Sequence, residues 1–177
     1  MFRPMHTTSL YRLSAILACV VLLTTTVAAV ASDSQETAKK ILDATGVRGG
    51  LVVHLGCGDG VLTEALRADD RYLVQGLDTD AANVEKARKH IQSLGAYGPV
   101  SVDIYDGRRL PYVGNLVNLI VSESPTTVPR EEIMRCLAPL GVAMIDGRKI
   151  VKPWPDDIDE WTHYLHGADN NAVARDT

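Results

Sequence analysis

Strands alternating with helices predict an α/β fold, a three-layer αβα sandwich around a mostly parallel sheet. Three observations carry this prediction. Apolar runs at Leu51–Leu55 and Leu116–Val121, interrupted only by His54 and Asn118, suit strands buried on both faces. Val84, Ala87, Ile91 and Leu94 recur at helical spacing and give one apolar face to turn toward a sheet. Glycines at 56, 58 and 60 join the first strand to a helix. Lacking a Cβ, they permit a tight turn and the close approach of a ligand.

The elements follow in order. Asp33-Ser34-Gln35-Glu36 reads as a capping box, with Asp33 as N-cap and Glu36 reaching back. It opens a helix to about Thr45, with Gly46 just past its end. Leu51–Leu55 is the first strand, followed by a helix from about Gly60 to Ala68 and a turn at Asp69-Asp70. Tyr72–Leu77 is the second strand, and Asp80 caps a helix over Ala81–Leu94 that ends at Gly95. Val100–Tyr105 alternates as a third strand and stops at Asp106-Gly107. Leu116–Val121 is the fourth strand, Pro129 opens a helix over Arg130–Leu137, and Gly141–Ile145 is the fifth strand. Lys152-Pro153-Trp154-Pro155 then interrupts regular structure. One short acidic helix is expected over Asp156–His166, with a polar end beyond Gly167.

The bulk numbers narrow the class. A chain of 177 residues, 46% hydrophobic and 23% charged, has the composition of one globular domain. A net charge of −4 without any Lys/Arg run argues against a nucleic-acid partner. Arg3 and Arg12 are the only charges in residues 1–31, so the remainder is more negative still. The apolar stretch Ala15–Leu23 and the small-x-small Ala29-Val30-Ala31 have the layout of a secretory signal peptide cleaved after Ala31. Export, periplasmic or extracellular, is expected. The alternative is an uncleaved N-terminal membrane anchor, the one expected contact with a membrane. Lipidation at Cys19 is disfavoured because the apolar run continues past it. The expected domains are 1–31 signal peptide, 32–150 α/β domain and 151–177 acidic tail containing Trp154 and Trp161.

Cys57 and Cys136 do not indicate a disulfide, and no His/Cys cluster has zinc-ligand spacing. His163 and His166 lie three apart but lack a third ligand, so no metal is expected.

The candidate chemistry lies at strand ends. The glycine loop and the helix start behind it offer N–H groups to an anionic group. Asp78 ends the second strand, where a carboxylate can accept from a ribose diol. Asp106 ends the third and can accept from an exocyclic amine. A dinucleotide loop wants glycine at 56, 58 and 61, but position 61 is Val61, which disfavours NAD or FAD.

Four stretches in this order resemble class I S-adenosylmethionine-dependent methyltransferases, whose fold is Rossmann-like. His54-Leu55-Gly56-Cys57-Gly58-Asp59-Gly60 is similar to the family's acid-x-Gly-x-Gly-x-Gly loop. Gly76-Leu77-Asp78-Thr79-Asp80 resembles the strand end whose acid holds the ribose hydroxyls. Tyr105–Tyr112 resembles the stretch whose Asp binds the adenine amine. Met134–Gly141 resembles the helix and turn before the fifth strand. The resemblance covers about Leu42 to Ile145 and implies S-adenosylmethionine as small-molecule cofactor, without naming an acceptor. The cofactor-site residues it implies are His54, Gly56, Cys57, Gly58, Asp78, Thr79, Asp106, Gly107 and Ser122. It implies no specific catalytic residue; Glu123, after the fourth strand, is the ionisable candidate for a base.

The chain departs from the family in three ways. His54 stands where the family has an acid, Asn118 replaces a common Asp, and Leu140 replaces a common Gly. The family's sheet ends with two further strands, the last antiparallel. Ile150-Val151-Lys152 can start one, so the sheet is expected without the full C-terminal pair. The tail resembles the junction, in large exported bacterial proteins, between such a domain and a quinoprotein-like β-propeller. In that setting a non-catalytic binding or spacer module is the alternative to an enzyme.

Overall fold

The computed structural model describes residues 33–155. The signal-peptide segment and the acidic tail helix lie outside the described residues. A helix over 33–45 (α1) precedes strand β1, Gly50–Leu55, and helix α2, Val61–Ala65. Strand β2, Tyr72–Asp78, leads to helix α3, Ala81–Ser93, and strand β3, Val100–Ile104. Strand β4, Val117–Ser122, helix α4, Arg130–Cys136, and strands β5, Leu137–Ile145, and β6, Arg148–Val151, complete the order. No helix among the described residues is long and apolar enough to cross a membrane.

The six strands lie in the order β3-β2-β1-β4-β5-β6. The first five are parallel, and β6 returns antiparallel to β5. This is the expected α/β fold of Rossmann-like type. Chain order reverses between β1 and β4, so the carboxyl ends of β1, β2 and β4 meet at one crevice.

Consecutive β1 residues explain the three layers. Val52 packs with Leu42, Leu62, Leu66, Val84 and Ile91 from the α1, α2 and α3 side. Val53 packs on the other face with Leu110, Val128, Ile133 and Leu137. A strand with both faces covered reads as a nearly continuous apolar run, as β1 does apart from His54.

Several boundaries differ from expectation, each for a local reason. Asp33 is already helical rather than a cap, and Glu36 pairs with Lys40 one turn on, not with the helix start. Helix α2 stops at Ala65: the Leu66 N–H still donates to the Leu62 carbonyl four residues back, and the Arg67 N–H closes the turn with a three-residue bond to the Glu64 carbonyl, both at 3.0 Å. Leu94 follows the last residue of α3 and is exposed rather than turned to the sheet, unlike Val84, Ala87 and Ile91. Helix α4 ends one residue early because Leu137 is already extended and starts β5.

Leu140 sits at φ +63 and interrupts the β4–β5 register there, a conformation that suits the glycine it replaces. Asp146 and Gly147, both at positive φ, turn β5 into β6 in the manner of a tight hairpin. One antiparallel edge strand therefore stands after β5 among the described residues. Asn118 is built in: its side chain accepts the Leu51 N–H at 2.9 Å, in space that only a glycine at position 50 leaves open.

Candidate functional site

The crevice is organised by one carboxylate. Asp78 is buried at the end of β2, and its Oδ2 accepts the Gly58 N–H at 3.0 Å. The same oxygen accepts from Asn83 Nδ2 at 3.3 Å, and Oδ1 accepts the Asp80 N–H at 2.9 Å. Charge-assisted bonds of this kind hold the glycine turn to the neighbouring strand. Oδ1, with one bond, has a further lone pair with which to accept from a ligand hydroxyl.

The glycines have separate tasks. Gly56 is at φ +72 and exposed, and a Cβ there would meet no protein atom within 4 Å. Its surroundings are room for a ligand. Gly60 is at φ +83 and packs on α3, where a Cβ would fall 2.8 Å from that of Ala87. It brings α2 against α3. Gly76, inside β2, lies under the turn, and a Cβ there would sit 2.8 Å from the Cys57 Cβ and 2.9 Å from Val102.

Two adjoining cavities open on this edge. The larger, about 240 Å³, is lined by Gly56, Asp78 and Thr79 on one side and by Tyr105 and the Ser122–Thr127 loop on the other. The smaller, about 170 Å³, is lined by His54, the turn Gly56–Asp59, and Ser34 and Thr37 of α1. Gly56 and Glu123 border both. An elongated ligand can therefore lie across Gly56, with its hydroxyl-bearing part at Asp78 and its other end at His54.

Burial sets the chemistry of two further groups. His54 is 2% exposed, and its Nδ1 lies 2.8 Å from Thr63 Oγ1. Desolvation lowers its pKa to about 4 despite the nearby Asp78 charge, so the ring is neutral at ordinary pH. The Cys57 thiol is pushed up to about 12, first by burial and then by the Asp78 charge. It serves as a packed small side chain, not a nucleophile.

Of the nine expected site residues, seven line one or both cavities: His54, Gly56, Cys57, Gly58, Asp78, Thr79 and Ser122. Asp106 and Gly107 line neither. Asp106 is exposed and accepts the backbone N–H groups of Arg109 and Arg108 at 2.8 Å, which hold its carboxyl below the usual range. Gly107 stands behind the rim, where Thr127 Oγ1 donates to its carbonyl at 2.6 Å. The loop that carries them is pinned to α4. Glu132 accepts the Leu110 N–H, and Arg135 donates to the Tyr112 carbonyl, both at 2.8 Å.

Sequence reasoning missed four contributors: Tyr105, Thr63, Asn83 and Gly76. A glycine inside an apolar strand was a legible sign of close backbone approach. Thr63, Asn83 and Tyr105 carried no sequence signal, because only the fold sets them beside His54, Asp78 and the cavity.

Comparisons with known proteins agree with this geometry. Residues 52–141, half of the chain, match the family described as "Methyltransferase domain". No curated protein sequence matches the chain. Among solved structures, a putative S-adenosyl-L-methionine-dependent methyltransferase from Methanococcus maripaludis is similar at 24% identity and a TM-score of 0.57, covering 63% of this chain and 53% of that one. A putative sarcosine dimethylglycine methyltransferase from Galdieria sulphuraria is similar at 21% identity and 0.55, covering 63% and 45%. The geranyl diphosphate C-methyltransferase of Streptomyces coelicolor, solved with Mg2+, geranyl diphosphate and S-adenosyl-L-homocysteine, is similar at 19% identity and 0.54, covering 61% and 43%. At these identities the likeness is one of fold, and this chain spans about half the length of these proteins.

Proposed function

The chain belongs to the methyltransferase-domain family, and from that premise we propose that it binds S-adenosylmethionine and transfers the methyl group to an acceptor. The observation that carries the reading is the pairing of Asp78 with the glycine turn. A buried strand-end carboxylate stands beside the open space over Gly56, at the edge where parallel sheets bind nucleotides. The residues fit an adenosyl amino acid. Asp78 offers the free lone pair of Oδ1 to a ribose hydroxyl, Thr79 and Tyr105 border the space beyond it, and Gly56 and Gly58 leave room for the chain running to His54.

The cofactor supplies an electrophilic methyl carbon on a positively charged sulfur. The protein's part is to hold the acceptor in line with that carbon, which positioning alone can accelerate strongly. The Ser122–Thr127 loop borders the larger cavity opposite Asp78 and supplies the acceptor side. Glu123 is its ionisable side chain and takes the proton of an acceptor that must lose one.

Residues 1–31 support export, and the tail's resemblance supports a junction to a β-propeller. Finding Met1 at the N-terminus of the mature protein would remove the export reading. One observation favours a second function, a binding or spacer module without turnover: Asp106 serves its own turn rather than the cavity.

The test is a thermal-shift series on the full chain with S-adenosylmethionine, S-adenosylhomocysteine, NAD and ATP at millimolar concentration. A rise in melting temperature with the two adenosyl amino acids alone is expected. No shift with either, or an equal shift with NAD, contradicts the proposal. Binding with no transfer of a labelled methyl group to any acceptor favours the second reading.

A further inference from the structure

The two walls of the larger cavity come from distant parts of the chain. Gly56, Asp78 and Thr79 form the cofactor wall, and the Ser122–Thr127 loop forms the acceptor side. The start of that loop is fixed to the turn after β5, where the Ser122 carbonyl accepts the Asp146 N–H at 2.9 Å. The Ser122 hydroxyl donates to the Ser124 carbonyl at 2.7 Å, and Thr126 Oγ1 accepts the Val128 N–H at 3.2 Å. These last two bonds are local and shape the loop without placing it. Glu123, Ser124, Pro125 and Thr127 are exposed, so burial does not place it either. The far end of the loop is placed by Thr127, whose hydroxyl donates to the Gly107 carbonyl at 2.6 Å.

Gly107 is a fixed point for that bond. It is buried at φ +78, and a Cβ there would fall 3.1 Å from Thr79 Cγ2 and 3.3 Å from Thr127 Oγ1. It is therefore packed between the residue that follows Asp78 and the acceptor-side loop. Its own segment is gripped further on, where Glu132 and Arg135 hold Leu110 and Tyr112 against α4. Thr126 stands beside the Tyr105 hydroxyl at the same junction. The two walls thus meet at Gly107, and the Thr127 hydroxyl is the tie between them.

We propose that Thr127 is a positioning residue: its hydroxyl fixes the acceptor-side loop to the cofactor wall through Gly107 and sets the width of the cavity before a ligand enters. The inference rests on the adenosyl amino acid reading above and deepens it. A loop ordered in advance adds no ordering cost to binding. It also keeps Glu123 at a constant distance from the space over Gly56, as in-line transfer requires.

The test compares the unmodified full chain with Thr127→Val, which keeps the branched shape and loses the O–H, and with Thr127→Ser, which keeps the O–H. Thr127 is exposed, so neither substitution empties a core. The first measurement is 15N relaxation of the ligand-free proteins. The N–H order parameters of Glu123, Ser124 and Thr126 are expected to match those of β4 in the unmodified chain and in Thr127→Ser, and to fall below about 0.6 in Thr127→Val. The second is calorimetry with S-adenosylhomocysteine. Thr127→Val is expected to weaken binding about two- to tenfold, the net worth of one hydrogen bond, and Thr127→Ser to restore it. A Thr127→Val chain that keeps either the native order parameters or the native affinity overturns the proposal, as does a loss that Thr127→Ser fails to restore. No heat from the unmodified chain overturns the adenosyl reading and this proposal with it. Heat from the unmodified chain leaves that reading standing whichever way the variants fall.

Discussion

Asp78 and Gly58 are tied across two parallel strands, carboxylate oxygen to backbone N–H at 3.0 Å. This contact makes the glycine turn and the end of β2 one unit, so the residue that would hold a ribose also fixes the shape of the loop beside it. Asp78→Ala leaves the Gly58 and Asp80 N–H groups without their carboxylate. A loss of about 1–3 kcal/mol in unfolding free energy is expected, measured by urea denaturation. An unchanged midpoint would mean that the contact does not hold the turn.

Gly76→Ala tests the packing beneath the turn. The new methyl group would fall within 3 Å of the Cys57 Cβ and Val102 Cγ1, in a buried strand with no room to yield. Destabilisation of about 1–3 kcal/mol is expected, as for other overpacked cores, together with weaker ligand binding as the turn is displaced.

His54 should give stability an acid-side dependence. Its folded pKa is about 4 against an ordinary 6.5, so between these values the unfolded chain binds a proton that the folded one does not. Stability from this source is complete above pH 6.5 and falls as the pH drops toward 4, by up to about 1.4 kcal/mol per pH unit. His54→Gln should remove that component. Denaturation curves at pH 7, 6 and 5 for both proteins check it, and parallel pH dependence would contradict it.

Leu140→Gly should stabilise. Leu140 is at φ +63 with its side chain 60% exposed, so it accepts left-handed strain for little burial. Relief of that strain, less the greater chain entropy of glycine, gives an expected gain of about 0.5–1 kcal/mol. A lower melting temperature in the variant would show that the exposed leucine makes a contact worth more than its strain.

The sheet was legible in the sequence because strands covered on both faces must be apolar without a break, as Val52-Val53 and Leu119-Ile120-Val121 are. The turn was legible because glycines at 56, 58 and 60 can serve few other purposes together. The roles of Thr63 and Asn83 were not legible, since they depend on a helix being laid beside β1 and β2. The geometry of Asp106 was hidden for the opposite reason. An Asp before Gly satisfies its own turn as readily as a ligand, and here it accepts from Arg108 and Arg109. Element ends slipped wherever a single residue decided them, as at Leu137, whose extended backbone starts β5 directly after α4.

The most direct measurement is a calorimetric titration of the full chain with S-adenosylmethionine, run beside Asp78→Ala at a temperature where both are folded. Saturable binding by the native chain, weakened about 10–100-fold in the variant, is expected from losing bonds to a charged acceptor. Absence of heat from the native chain, or equal affinity in both proteins, would contradict an adenosyl site built on Asp78.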